Sequence, residues 1–379
     1  MYIESLSLGL TNNCNLNCSY CFEGKKNKLT MSVDTAKKSI DWLFRNDVSG
    51  PVSKVDISFF GGEPLLEMNT IKEIIIYARE KAELIGKEAN FSATTNGVLF
   101  DKEIAEYWIE NNLGILLSCD GIKKAHDISR KSQSGEGSFD LVEKNFDNVL
   151  SLNKGKEVRM TYTPHTCKYI ADGVQYLSNC GFESISVFPS EEMKWTDQDL
   201  LACEESFYKT GEFLVNALEK NITLIINPIS NRLKSLLNED TKVLNNEMCG
   251  AGRTYVGIGV DGTIYPCHRF ASHNNFSGAY PIGNIINGLD EIKRIPFLRM
   301  KKNLLLGCDI ECDICSLHGN CTGGCMAANY DVTGHLTLRP RSLRFHEMIW
   351  DNVAKSMIDY FKENNYESFR EKILGSKGM

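Results

Sequence analysis

Apolar residues in the first half of the chain gather into short runs, separated by stretches in which they return every three or four positions. The runs Ser5–Thr11, Val55–Phe60, Asn90–Thr95, Gly114–Cys119, Val158–Thr163 and Ser184–Phe188 predict strands. Helical spacing covers Asp34–Phe44, Thr70–Leu84, Asp101–Asn111, Phe139–Leu152 and Tyr169–Asn179, the pattern of helices that bury one face. Six strand-then-helix units predict an α/β fold with a parallel sheet. Alternation alone permits a partial barrel or a doubly wound sheet, and in both the chemistry sits at the carboxyl ends of the strands. Residues 197–247 read as helical and polar, broken once at Asn227-Pro228.

Composition narrows the class without naming a reaction. A content of 42% hydrophobic and 24% charged residues fits a globular chain of two domains. The net charge of −7 offers no broad basic face, so nucleic acid is not an expected partner. No apolar run approaches the roughly 18 residues of a membrane span, and Met1-Tyr2-Ile3-Glu4 does not read as a signal peptide, so a cytoplasmic location is expected. There, fourteen cysteines point to metal binding and not to disulfides. Three fall at 14–21 and seven at 249–325, while Cys119, Cys167, Cys180 and Cys203 are scattered and read as small buried hydrophobes.

The run Cys14-Asn-Leu-Asn-Cys18-Ser-Tyr-Cys21 closes the first predicted strand. Three thiolates so spaced suit three irons of a cubane cluster and leave the fourth iron open to a chelating amine and carboxylate. A closed zinc site wants four ligands, and no fourth lies nearby. A chance cluster of thiols or a distorted zinc knuckle is the alternative.

Cys14, Cys18 and Cys21, with Tyr20 before the last of them, together with Gly61-Gly62-Glu63-Pro64 after the second strand, resemble the radical S-adenosylmethionine (SAM) superfamily. The resemblance implies a partial (β/α)6 TIM-type barrel and a 4Fe–4S cluster that reduces SAM to methionine and a 5′-deoxyadenosyl radical. It implies that the Gly61–Pro64 loop, Glu63 included, holds the SAM amino group. The loop at Asn96 would line the active site, and Ser118 and Asp120 would meet the ribose. Ser118-Cys119-Asp120-Gly121, His126-Asp127, Arg130 and Gly135-Glu136-Gly137-Ser138-Phe139 resemble a segment of peptide- and sulfatase-modifying members. Arg130 is then the candidate for the SAM carboxylate, whose geometry a guanidinium fork matches. His126 reads as structural.

The second cysteine block, Cys249, Gly262, Cys267, then Cys312-x2-Cys315-x5-Cys321-x3-Cys325, resembles the SPASM extension. That resemblance implies two auxiliary 4Fe–4S clusters, one on Cys249, Cys267 and Cys325, the other on Cys312, Cys315 and Cys321. They would take up a surplus electron or ligate a substrate sulfur. No cysteine follows Cys325, so Cys308, Arg344 or His346 would complete a site, or one iron stays open. A pair of structural zinc sites is the alternative reading of this block. After Cys267, where sulfatase-maturing relatives carry an Asp as general base, stands His268, a side chain that can also accept a proton near neutrality.

The expected organisation is a radical SAM partial barrel over 1–225, a bridge over 226–248, a SPASM domain over 249–348 and a tail over 349–379. The expected function is a peptide maturase that forms a thioether or other side-chain cross-link in a ribosomally made precursor peptide. Its partners would include a flavodoxin- or ferredoxin-type reductant; because the chain starts at the barrel, leader recognition would fall to a separate leader-binding protein, to the bridge or to the tail Ile349–Met379. The alternatives are an anaerobic sulfatase-maturing enzyme that forms formylglycine, a non-catalytic iron–sulfur electron carrier, or a zinc-stabilised interaction protein.

Overall fold

The computed structural model describes residues 2–23, 26–153, 156–238, 248–271, 280–304, 317, 321 and 323–375. In chain order come β1 (Ser5–Thr11), α1 (Val33–Leu43), α2 (Asn46–Ser49), β2 (Lys54–Gly61), α3 (Met68–Leu84), β3 (Glu88–Thr95), α4 (Lys102–Glu110) and β4 (Gly114–Ser118). Next are α5 (Lys123–Ser129), α6 (Phe139–Glu143), α7 (Phe146–Leu150), β5 (Lys156–Tyr162), α8 (Ile170–Asn179), β6 (Ser184–Pro189), α9 (Asp197–Glu219), β7 (Ile225–Asn227) and α10 (Ile229–Leu237). The last part adds β8 (Tyr255–Ile258), β9 (Thr263–Tyr265), β10 (Gly283–Asn284), β11 (Gly288–Leu289), α11 (Glu291–Leu298), α12 (Met326–Thr333), α13 (Arg341–Glu363) and α14 (Tyr366–Gly375).

All six predicted strands form. Two departures have local causes. The helix expected over Phe139–Leu152 is split into α6 and α7, where Asn145 turns its side-chain amide onto the carbonyls of Gly97 and Val98. Inside the stretch read as helical lies β7, an apolar, β-branched run whose Ile226 is wholly buried and pairs with Ile185 of β6.

The chain divides into two compact units, each discontinuous in sequence. The first comprises Met1–Ser118, Arg130–Lys156 and Cys249–Met300. Its strands lie in the order β11-β10-β9-β8-β1-β2-β3-β4, parallel from β8 to β4, with β9 to β11 an antiparallel meander. Ser5 of β1 stands opposite both Asp56 of β2 and Tyr255 of β8. Leu6, Leu8 and Leu10 of β1 are completely buried, as a central parallel strand requires. The helix α1 starts where Ser32 Oγ accepts the Thr35 N–H at 3.0 Å, a side-chain cap.

The second unit comprises Cys119–Ser129, Glu157–Met248 and Lys301–Met379. Here β5, β6 and β7 pair in parallel. A capping box between Thr196 and Asp199 opens α9. Gly211 of α9 lets α13 come close: a methyl group there would stand 2.7 Å from Val353 Cγ1.

Candidate active site

The carboxyl ends of β1, β2 and β3 carry the residues that matter in the first unit. Gly62 N–H donates to the Thr11 carbonyl at 2.7 Å and Glu63 N–H to that of Asn13 at 2.9 Å. Gly61 has φ of +128°, and a Cβ on either glycine would overlap backbone of residues 11–13. Only glycine lets these two loops touch.

Glu63 is buried, and its carboxylate is committed within the protein. Oε1 accepts from Thr95 Oγ1 at 2.8 Å and Leu65 N at 3.1 Å, and Oε2 accepts from Asn96 N at 2.8 Å. Burial pushes its pKa up to about 7, against the pull of those three donors. So Glu63 ties the end of β2 to the end of β3, and Pro64 opens a 3-10 turn directly after it. Asn96 extends the tie: its Nδ2 donates to Asn15 Oδ1 at 2.7 Å and lies 3.7 Å from Cys14 Sγ.

The loop that bears Cys14, Cys18 and Cys21 is also gripped from the segment after α5. Gln133 Nε2 donates to the carbonyls of Cys14 and Leu16, at 3.0 and 2.9 Å, and Asn17 N–H donates to that of Lys131 at 2.7 Å. Arg130, expected from sequence to meet a carboxylate, is buried, and its guanidinium stands 5.4 Å over the Tyr20 ring. Two sulfurs of this loop receive donors: Leu16 N–H to Cys14 at 3.4 Å, and Lys26 Nζ to Cys21 at 3.1 Å. Burial pushes the Cys14 thiol up to about 12, so holding it as thiolate takes a metal's charge. No three His, Cys, Asp or Glu side chains among the described residues converge on a single metal ion. Thiols around a cubane stand wider apart than around one ion, and sulfurs that accept N–H groups suit its ligands. The donor set fits the cluster.

His268 lies in the same unit. Its ring is 4.4 Å from that of Phe60 at the end of β2 and 6.0 Å from that of Phe22, and its Nδ1 is 2.5 Å from Tyr255 Oη. Gly257 of β8 leaves room for the segment, since a Cβ there would meet the Cys267 carbonyl carbon at 2.6 Å. Beside His268 is a water-sized cavity of about 10 Å³, whose lining includes Asn12, Glu23, Phe60 and Gly61. Burial raises Glu23 to a pKa of about 7, and the Asn12 Nδ2 has no hydrogen-bond partner among the described residues.

Of the remaining sites, Ser118 ends β4 half-buried. In the second unit Asp120 is buried, accepts the Thr161 N–H at 3.0 Å and donates its own N–H to His126 Nδ1 at 3.3 Å. His126 is thus a buried structural group. Cys249 is exposed and Cys267 buried in the first unit; Cys321 and Cys325 are half-buried in the second. Cys308, Cys312 and Cys315 lie outside the described residues. The structure places His346 in a buried aromatic layer with Tyr162, Trp195 and Trp350. Sequence reasoning missed Lys26, Gln133 and Tyr255. Only Lys26 had a signal, as one of the lysines just after Cys21.

A model of the radical SAM superfamily matches residues 8–189, and one of the SPASM iron–sulfur cluster-binding domain matches 249–323. The chain belongs to the radical SAM superfamily. Membership brings 4Fe–4S clusters and SAM as cofactors. An uncharacterized protein of Methanocaldococcus jannaschii is 33% identical over 48% of this chain, which spans 62% of that protein's length. The radical SAM cyclopropyl synthase TigE of Paramaledivibacter caminithermalis is 23% identical over 86% of this chain and 68% of its own. In fold, the radical SAM chain is similar to native anSMEcpe solved with bound AdoMet and Cp18Cys peptide. The TM-score is 0.74 at 18% identity, over 95% of this chain and 99% of that one. Among the described residues no helix is long and apolar enough to cross a membrane.

Proposed function

We propose that this radical SAM enzyme modifies a ribosomally made peptide and joins two of its side chains, most simply through a thioether. The observation that carries the reading is the three-thiol loop after β1, with N–H donors at the Cys14 and Cys21 sulfurs, its backbone tied to the end of β2 and its Asn15 side chain to the end of β3. A peptide substrate is favoured by the relatives: TigE is a cyclopropyl synthase, and anSMEcpe was solved with a peptide.

When bound, the reduced cluster and SAM supply a 5′-deoxyadenosyl radical that abstracts a substrate hydrogen. The protein's part is to bind, orient and move protons. Cys14, Cys18 and Cys21 hold the first cluster. Arg130, stacked on Tyr20, offers its guanidinium to the SAM carboxylate. With the Glu63 carboxylate committed to Leu65, Thr95 and Asn96, the amino group falls to backbone carbonyls of the Gly61–Gly62 turn. Asn96 lines the site, and Ser118 and Asp120 take ribose hydroxyls. Thioether formation removes a hydrogen atom, a proton and one further electron from the peptide; the hydrogen atom goes to the deoxyadenosyl radical, His268 is the acceptor for the proton, and the electron would pass to an auxiliary cluster. The cysteines of the second block, Cys249, Cys267, Cys312, Cys315, Cys321 and Cys325 with Cys308 in reserve, hold two auxiliary clusters. Having His268 where an Asp serves formylglycine formation favours cross-linking.

Anaerobic reconstitution tests this. The enzyme is expected to bind about 12 irons per chain and, with dithionite and SAM, to release 5′-deoxyadenosine. A peptide encoded beside the gene should lose two hydrogens. An iron-free protein that leaves SAM intact defeats the proposal.

A further inference from the structure

Behind Cys321, in the second unit, lies a buried chain of charge that the proposed reaction does not use. The Cys321 sulfur receives two N–H donors, the Gly323 backbone at 3.3 Å and Arg339 Nη1 at 3.2 Å. Arg339 is 5% exposed, and its Nη2 donates to Glu347 Oε2 at 2.7 Å. Glu347 is wholly buried, and its Oε1 faces Nη2 of the buried Arg232 at 3.8 Å. Glu347 therefore sits between two guanidinium groups, one of which is turned onto a cysteine sulfur.

The local fold fixes this arrangement. Gly323 and Gly324 take φ of +80° and +74°, which turns the chain sharply between Cys321 and α12. Glu347 lies on the second turn of α13, and Arg339 stands just before that helix begins. A guanidinium and a backbone N–H are donors that a metal-bound thiolate can accept from. Burial of the arginines is costly unless the charge they face is lasting.

We propose that Arg339, held by Glu347 and backed by Arg232, is a positioning residue that donates to the Cys321 sulfur of an auxiliary 4Fe–4S cluster and raises that cluster's reduction potential. The inference rests on the reading of Cys321 as a cluster ligand. Reduction adds negative charge to a cluster, and hydrogen bonds and cations at its sulfurs stabilise the reduced state more than the oxidised one.

The test uses the full chain with Cys14, Cys18 and Cys21 changed to Ala, so that only auxiliary clusters report. Iron is counted, and midpoints are read by anaerobic EPR titration with dithionite. Arg339→Gln is expected to keep its iron and to shift one cluster's midpoint negative while the other stays put. Arg339→Lys, which keeps the charge without the fork, should shift it less. Glu347→Gln should shift the same cluster the opposite way, because the arginines lose their counter-charge. Unmoved midpoints with full iron overturn the proposal. Should Arg339→Gln lose iron, the other two variants decide by the same criterion. The underlying reading fails separately: Cys321→Ala that keeps full iron and an unchanged spectrum removes the ligand assignment itself.

Discussion

Asn96 Nδ2 donates to Asn15 Oδ1 at 2.7 Å, which joins the end of β3 to the loop between Cys14 and Cys18. The Asn96 backbone N–H is in turn held by Glu63, so three strand ends share one hydrogen-bonded chain. Asn96→Ala cuts the last link and leaves the Asn15 side chain without it. A lost internal hydrogen bond of this kind costs about 1 kcal/mol. The expected outcome is a several-fold loss of SAM cleavage with little change in auxiliary iron, read from 5′-deoxyadenosine release and iron content. Full activity would show that the link does not position the cluster loop.

Arg130 is buried against Tyr20, so its guanidinium is already oriented before any ligand arrives. Hydrogen bonds to charged groups contribute about 1.5–3 kcal/mol. Arg130→Met should therefore raise the KM for SAM by roughly ten- to a hundredfold. Tyr20→Leu, which removes the face under the guanidinium, should raise it by less. An unchanged KM in Arg130→Met would remove Arg130 from the SAM site.

Gly121 combines two demands. It has φ of +84°, and a Cβ there would run into the backbone of Gly173 on α8. Gly135 has a similar φ of +90° but open space around it. Gly121→Ala should then cost about 3 kcal/mol or more, from overpacking added to strain, while Gly135→Ala should cost only about 1–2 kcal/mol from the backbone alone. Denaturant midpoints of the two variants, compared with the parent, check the difference.

The strands were legible in sequence because a buried parallel strand writes an apolar run, and Ser5–Thr11 and Gly114–Ser118 are found within a residue of their expected places. Cys14, Cys18 and Cys21 stand out in sequence because a cysteine motif lies in its own spacing and not in contacts distant in the chain. Glu63 was legible as a position but not in its role: a motif marks the residue, yet only the fold shows its carboxylate spent on Leu65, Thr95 and Asn96. Gln133 and Tyr255 left no trace, since a glutamine that caps two carbonyls, or a tyrosine that meets an imidazole, is defined by contacts distant in the chain. His346 misled for the same reason. A histidine near the end of a cysteine block reads as a ligand, while its aromatic neighbours Tyr162 and Trp195 lie far back in the sequence.

His346 makes the enzyme's stability sensitive to acid. Its ring is buried, with Nδ1 3.1 Å from Tyr162 Oη and 3.6 Å from Cys203 Sγ. Burial lowers its pKa to about 3, from an ordinary value of 6.5. The unfolded chain therefore binds more protons here between those two values, and stability is full above pH 6.5 and lost progressively as the pH falls toward 3. Glu23 and Glu63, both raised to about 7 by burial, act in the other sense: what they contribute fades as the pH rises from 4.5 to 7. A comparison at a single position separates the effects. Between pH 7.5 and 5.5 the parent should lose about 1.4 kcal/mol through His346, and His346→Asn, which cannot titrate, should lose that much less. Anaerobic urea denaturation of both proteins at the two pH values measures it. Equal losses in parent and variant would mean that His346 can take up its proton without leaving the aromatic layer.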